Sequence, residues 1–331
     1  MAQLTYRESV SLAIAQAMRK DPKVFFIGED VGAAGGVFKA TVGLLDEFGK
    51  DRVMDTPISE QAILGAAMGA AMTGLRPIAE IMFSDFLAVC WDIVANQIAK
   101  TRYMSDGQIN IPLVIRTANG GGSKFGAQHS QSLENWSMMI PGLKVVAPSS
   151  PADVLGLMNT AINDPDPVIF YEHKSLYASK QELDSTELSI PLGQANILHE
   201  GNDITIIGLA LMAQRSKKAA EILKEKHNIK AKVIDLRTLV PLDLQTIKKS
   251  INETGLAMTV EENPRLCGWG AEISSLITEH CFSNLKGPVT RITTPHVPLP
   301  SADILEDNTI PSVDLIVNEV IKKIKGEQSW K

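Results

Sequence analysis

The chain has 331 residues, enough for about two domains of ordinary size. Apolar residues make up 44% and charged residues 21%, a globular balance that excludes a disordered chain. The net charge is −6 with Lys and Arg scattered, which leaves no basic face and excludes nucleic acid as the main partner.

The chain opens with "MAQLTYRESV", which turns polar and charged at once, unlike a signal peptide, and no later apolar run is long enough to span a bilayer. Thr5 and Glu8 form a capping-box pattern that predicts a helix to about Lys20. "VFFIG" (Val24–Gly28) reads as a strand. A helix starting near Glu60 follows, with Thr56 as its cap and Pro57 in its first turn. Next come a strand around Ile78–Phe83 and one long helix from Phe86 to about Met104. "PLVIRTA" (Pro112–Ala118) and "LKVVAP" (Leu143–Pro148) are continuous apolar runs, as in buried parallel strands. Ser150-Pro151 opens a helix through Ile162, and "PVIFYEH" (Pro167–His173) is the next strand. Between Lys174 and Gln194 the pattern dissolves into a linker. A second unit then alternates "DITIIGLA", a helix at Gln214–Lys226, "AKVIDLRTL", a helix at Leu244–Ile251, "LAMTVEEN", a helix at Ala271–His280 and a strand at Val289–Thr293. This alternation predicts an α/β fold of two doubly wound domains, at residues 1–185 and 195–331.

Several chemistries lack their motifs. There is no G-x-S-x-G elbow, no phosphate-binding G-x-x-x-x-G-K-[ST] loop and no G-x-G-x-x-G opening a helix after a first strand. "GGGSKFG" (Gly120–Gly126) sits mid-chain and reads as a flexible loop. Cys90, Cys267 and Cys281 are far apart and the six histidines form no H-x-x-x-H pair. A reducing, cytoplasmic setting is therefore expected, without a disulfide framework or a zinc site.

Three stretches carry candidate chemistry. Glu60 stands at the mouth of "AILGAAMGAAMTG", whose Gly65, Gly69 and Gly74 leave room for close approach. A glutamate in a first helical turn complements the helix dipole, which alone accounts for its place. A desolvated carboxylate beside such an open surface is also suited to hold or share a proton. His129 lies in "FGAQHSQSLENW" between polar neighbours able to fix its tautomer. Met82 and Phe86 close "MFSDF", where an aromatic ring is either core or a platform for a flat heterocycle.

"GED", "DTPISEQ", "GLRPIAEIMFSDF", "AKTRYM", "AQHSQS", "PGLKVVAPSSPAD", "DPDPVIFYEH" and "DLRTLVPLD" together resemble the beta subunit of the thiamine-diphosphate-dependent first component of 2-oxo acid dehydrogenase complexes, which act on pyruvate, branched-chain 2-oxo acids or acetoin. The likeness runs from about Thr5 to Ile324. It implies a pyrimidine-binding domain followed by a transketolase C-terminal-like domain. It implies that Glu60 hydrogen-bonds the aminopyrimidine ring and favours the imino tautomer that deprotonates the thiazolium carbon. The ylide so formed attacks the substrate carbonyl. Phe86 corresponds to the ring-stacking aromatic, with Met82 and Ile58 beside the pyrimidine. His129 corresponds to a histidine that steers protons or positions the lipoyl group. A potassium site in relatives falls on Leu113, Ala161, Ile162, Asp164 and Asp166, although relatives often carry asparagine at the last position. The family's G-D-G…N pattern for diphosphate and Mg2+ lies on an alpha subunit. Here the nearest match is Ser105-Asp106-Gly107, so the resemblance implies an alpha2beta2 heterotetramer and a lipoyl-bearing acyltransferase partner. A transketolase-like subunit acting on a sugar phosphate, a non-catalytic docking subunit and a nicotinamide dehydrogenase are the competing readings.

Overall fold

The structure is a computed structural model and describes residues 2–327; residue 1 and residues 328–331, the last of the second expected domain, lie outside the described residues. Strands in the first half are β1 (Ala2–Thr5), β2 (Val24–Gly28), β3 (Val53–Asp55), β4 (Arg76–Phe83), β5 (Val114–Asn119), β6 (Lys144–Val146), β7 (Val168–His173) and β8 (Lys180–Leu183). Those in the second half are β9 (Asn196–His199), β10 (Ile204–Gly208), β11 (Ala231–Asp235), β12 (Thr238–Val240), β13 (Ala257–Pro264) and β14 (Thr290–Thr294). The described residues divide into two compact units, the first formed by the residues up to 120 with 136–192 and 239–241, the second by 121–135, 193–238 and those from 242 onward.

In the first unit a seven-stranded sheet has the order β12-β6-β7-β5-β4-β2-β3, and β2–β3, β2–β4, β4–β5, β5–β7 and β6–β7 all pair in parallel. Strands β2, β5 and β7 are buried along their whole length, as the continuous apolar runs require of a sheet covered on both faces. The Thr5–Glu8 capping box opens the helix Tyr6–Lys20, which packs on the helix Pro151–Asn163. A separate pair, β1 with β8, is antiparallel. The expected linker is thus partly ordered, because Lys180–Leu183 finds the free edge of the first strand.

The second unit has a five-stranded sheet of order β14-β13-β10-β11-β9, parallel except for the β11–β9 pair. Its core is Ile204, Ile206, Val233, Met258 and Val260 under Met212, Leu223, Ile316 and Val320.

Three local expectations need correction. "AKVIDLRTL" is two strands: Arg237 takes φ +59°, a left-handed conformation that ends an extended run, and β12 joins the first sheet. The long helix Phe86–Met104 is instead a 3₁₀ turn (Ser84–Ala88), a π-helical stretch (Ile93–Ile98) and a short α-helix (Thr101–Met104). Side chains compete with the helical ladder there: Cys90 Sγ reaches the Phe86 and Leu87 carbonyls at 3.7 and 3.6 Å, and Thr101 Oγ1 donates to Gln97 O at 2.7 Å. Finally, Thr56 does not cap the Glu60 helix. That helix spans Glu60–Met72 with Ser59 at its cap position, and Ser59 makes no side-chain capping bond.

Candidate active site

An open parallel sheet offers its crevice where successive crossovers leave in opposite directions, beyond the carboxyl ends of the strands. In the first sheet the chain passes from β2 to β3 on one side, then crosses to β4 on the other, so the switch point lies between β2 and β4. Glu29 follows β2, Glu60 follows β3, and Met82 and Phe86 mark the end of β4. The topology therefore gathers Ile58, Glu60, Met82 and Phe86 at one end of one sheet.

The local geometry suits a flat ring beside a carboxylate. Glu60 is 8% exposed in the first turn of its helix, whereas Ile58, two residues earlier, is 76% exposed. Met82 sits where the β4–β5 register shifts between Ile81 and Phe83, an irregularity that re-aims side chains. Phe86 is half-buried and meets Phe83 edge-on at 5.5 Å between centroids. Between β3 and the helix, Thr56 Oγ1 is buried with no hydrogen-bond partner. The Glu60 helix packs on β4 and on the π-helical stretch, where a Cβ at Gly65 would meet Ile93 Cδ1 at 3.4 Å.

The switch point is strongly acidic. Burial, then the charges of Asp30 and Glu60, raises the Glu29 carboxyl above its ordinary range. Glu80 on β4 is fully buried among charges. Burial pushes its carboxyl up to about 7, Arg116 opposes this, and Glu172 and Glu29 add to it. Arg116 holds Glu172 with two bonds of 2.8 and 2.6 Å, pairs with Glu80, and Tyr177 donates to Glu172 at 2.8 Å. Gly28 is required here, since a Cβ would stand 2.9 Å from that of Glu80. Burial, with the charge of Glu60 behind it, pushes the Cys90 thiol up to about 12, so this cysteine is inert as a nucleophile. Sequence reasoning gave no role to Glu29 or Glu80. The signal was present as "GED" directly after a buried strand and a glutamate inside "RPIAEIMF".

His129 belongs to the second unit, half-buried on a loop whose turn is closed by its own N–H to Gly126 O at 3.3 Å. That loop is fastened at both ends. The Gly121 N–H donates to the Glu262 carboxylate, Lys124 pairs with Glu306 and Asp307, and Asn263 Nδ2 donates to Ser132 O at 2.7 Å. Leu113, Ala161, Ile162, Asp164 and Asp166 lie in the first unit near the amino ends of β5 and β7, away from the carboxyl ends that carry Glu60. Among the described residues no group of three or more His, Cys, Asp or Glu side chains could hold a metal ion, and no helix is long and apolar enough to cross a membrane.

Residues 2–180 match the transketolase pyrimidine binding domain and residues 193–316 the transketolase C-terminal domain. The acetoin:2,6-dichlorophenolindophenol oxidoreductase subunit beta of Bacillus subtilis (strain 168) is 45% identical, with 98% of each chain covered. The 2-oxoisovalerate dehydrogenase subunit beta of the same organism is 42% identical over 92% of this chain and 94% of its own. The mitochondrial pyruvate dehydrogenase E1 component subunit beta-2 of Oryza sativa subsp. japonica is 44% identical over 95% of this chain and 85% of its own. A solved structure described as a split gene transketolase, inactive beta4 tetramer, shares the fold with a TM-score of 0.81 at 23% identity, covering 98% of this chain and 99% of that one. Two matching domains and relatives of near-equal length place this chain in the family of beta subunits of the thiamine-diphosphate-dependent first component of pyruvate, acetoin and branched-chain 2-oxo acid dehydrogenases.

Proposed function

We propose that this chain contributes the pyrimidine half of a thiamine diphosphate site and works with an alpha subunit in an alpha2beta2 first component, from which the acyl unit passes to a lipoyl-bearing acyltransferase. The observation that carries the reading is the buried Glu60 carboxylate at the switch point, with Met82 and Phe86 at the end of the neighbouring strand. The unpartnered Thr56 Oγ1 and the small residues of the Glu60 helix fit a ring that approaches closely. When bound, thiamine diphosphate supplies the electron sink for cleavage beside the substrate carbonyl.

The residues of this chain prepare that chemistry. Glu60 holds a proton at the pyrimidine ring nitrogen. Phe86 and Met82, with Ile58, wall the ring and exclude water, which strengthens the Glu60 hydrogen bond in a low-dielectric site. His129 receives the proton-steering or lipoyl-positioning role. Mg2+ and the diphosphate fall to the alpha subunit. The three free cysteines support a reducing, cytoplasmic setting.

The test is thiamine diphosphate binding and turnover of pyruvate, a branched-chain 2-oxo acid and acetoin, by the chain alone and with its alpha subunit. Binding and turnover in the assembled enzyme are expected. Failure of the assembled enzyme to bind thiamine diphosphate would overturn the reading, and activity on a sugar phosphate instead would move it to transketolase-type chemistry.

A further inference from the structure

The family resemblance gives Leu113, Ala161, Ile162, Asp164 and Asp166 to a potassium ion, and these residues do not fit one. Lys144, at the start of β6, brings its ammonium to both oxygens of Asp164 at 2.6 and 2.7 Å and to Asp166 at 3.4 Å. Arg102 takes the other oxygen of Asp166. The carbonyl of Ile162 accepts from Arg76 Nη1 at 2.9 Å. The carbonyls of Leu113 and Ala161 accept from the N–H groups of Val168 and Asp164, at 2.9 and 3.2 Å. Two carboxylates thus already face two fixed cations, and the third cation, Arg76, sits on a carbonyl. The carboxylate donors of the site are already neutralised, and a potassium ion would have to displace the Lys144 ammonium to reach them.

We propose that Lys144 is a tethered cation that supplies to Asp164 and Asp166 the positive charge a potassium ion would bring, so that this end of the first unit is held together without a bound metal. An ammonium and a potassium ion are close in size and both require oxygen donors, and an ammonium carried by the chain pays no entropy of capture from solution. Lys144 is 28% exposed on its side chain and Asp164 13%, so the pair is screened less than a surface pair. With Arg102 and Arg76 it joins β6, the short Thr101–Met104 helix, the start of β4 and the turn before β7. These contacts lie at the amino ends of the strands, so they hold the sheet without touching the residues around Glu60.

The experiment compares thermal unfolding of the purified full chain in KCl and in tetramethylammonium chloride at equal ionic strength. Equal midpoints are expected for the parent. In Lys144→Met the midpoint should fall by about 4 °C in tetramethylammonium, and KCl should restore part of the loss, because the two carboxylates are then short of a cation. If K144M does not fold, Lys144→Arg keeps the charge, and its midpoint should stay indifferent to potassium. A parent chain that potassium stabilises by several degrees would overturn the proposal. So would a K144M chain that melts like the parent in tetramethylammonium, or a K144R chain that needs potassium. None of these outcomes depends on what Glu60 does.

Discussion

Glu60 and Glu80 are both buried glutamates at one end of one sheet, yet their surroundings differ, and so do their tests. Glu60 faces a site walled by partly exposed apolar side chains. Glutamine keeps its size and most of its hydrogen bonding but cannot give the pyrimidine nitrogen a proton. In the assembled enzyme Glu60→Gln should therefore slow hydrogen–deuterium exchange at the thiazolium carbon by about 100-fold or more, with cofactor affinity much less affected. Equal exchange rates would reduce Glu60 to a helix-dipole residue worth a few tenths of a kcal/mol of stability. Phe86→Ala should weaken cofactor binding by about 1 kcal/mol through lost stacking, read as a change in dissociation constant with exchange per bound cofactor kept. Glu80 makes a pH prediction. Its carboxyl titrates at about 7 in the folded chain, against roughly 4.3 unfolded, so the folded state binds the proton more tightly. Its favourable contribution is complete below the unfolded value and is lost as pH rises through 7. Thermal midpoints of the parent should therefore fall relative to Glu80→Gln between pH 5 and 7 and run parallel above that. Arg116 keeps Glu172 as its bidentate partner in the variant. Parallel profiles across the whole range would refute the assignment.

At the scale of elements, what was legible in the sequence was whatever is decided locally. The capping box of Thr5 and Glu8 is a contact between residues three apart, and "VFFIG" is a strand buried on both faces, so composition alone marks it. Elements decided by distant partners were not legible. Lys180–Leu183 is extended because β1 offers an edge, and Thr238–Val240 leaves its own sheet for another. The run after Phe86 has helical composition, and only the hydrogen bonds of Cys90 and Thr101 show how it breaks. Among the candidate site residues, the carboxylate was readable as a lone acid before small residues. The acid company of Glu29 and Glu80 depends on strand order, which no local pattern encodes. The Glu60 helix itself offers a prediction. Gly69 is exposed in its interior, and a Cβ there would meet nothing within 4 Å. Gly69→Ala should stabilise the purified chain by about 1 kcal/mol, seen as a midpoint raised by about 2–4 °C. A lowered midpoint would show that this face is already packed in solution.

For the whole molecule, the decisive quantity is charge. A diphosphate carries several negative charges and needs cations or a ring of backbone donors. The switch point of the first unit supplies the opposite, with Glu29 coupled both to Glu60 and to Glu80, and Arg116 committed to Glu172 and Glu80. Among the described residues no cluster of three or more His, Cys, Asp or Glu side chains could hold a metal ion that would reverse that field, and Ser105-Asp106-Gly107 lacks the first glycine of the family's pattern. On the function proposed above, the pyrimidine end of the cofactor would meet its carboxylate here, and the diphosphate end would be repelled unless another chain held it. The purified chain, supplied with thiamine diphosphate and magnesium, should show no decarboxylation of 2-oxo acids and no cleavage of acetoin, and activity should appear when the alpha subunit is added. Turnover by the single chain would mean that a diphosphate anchor exists within it, and the division of labour between the two subunits would have to be redrawn.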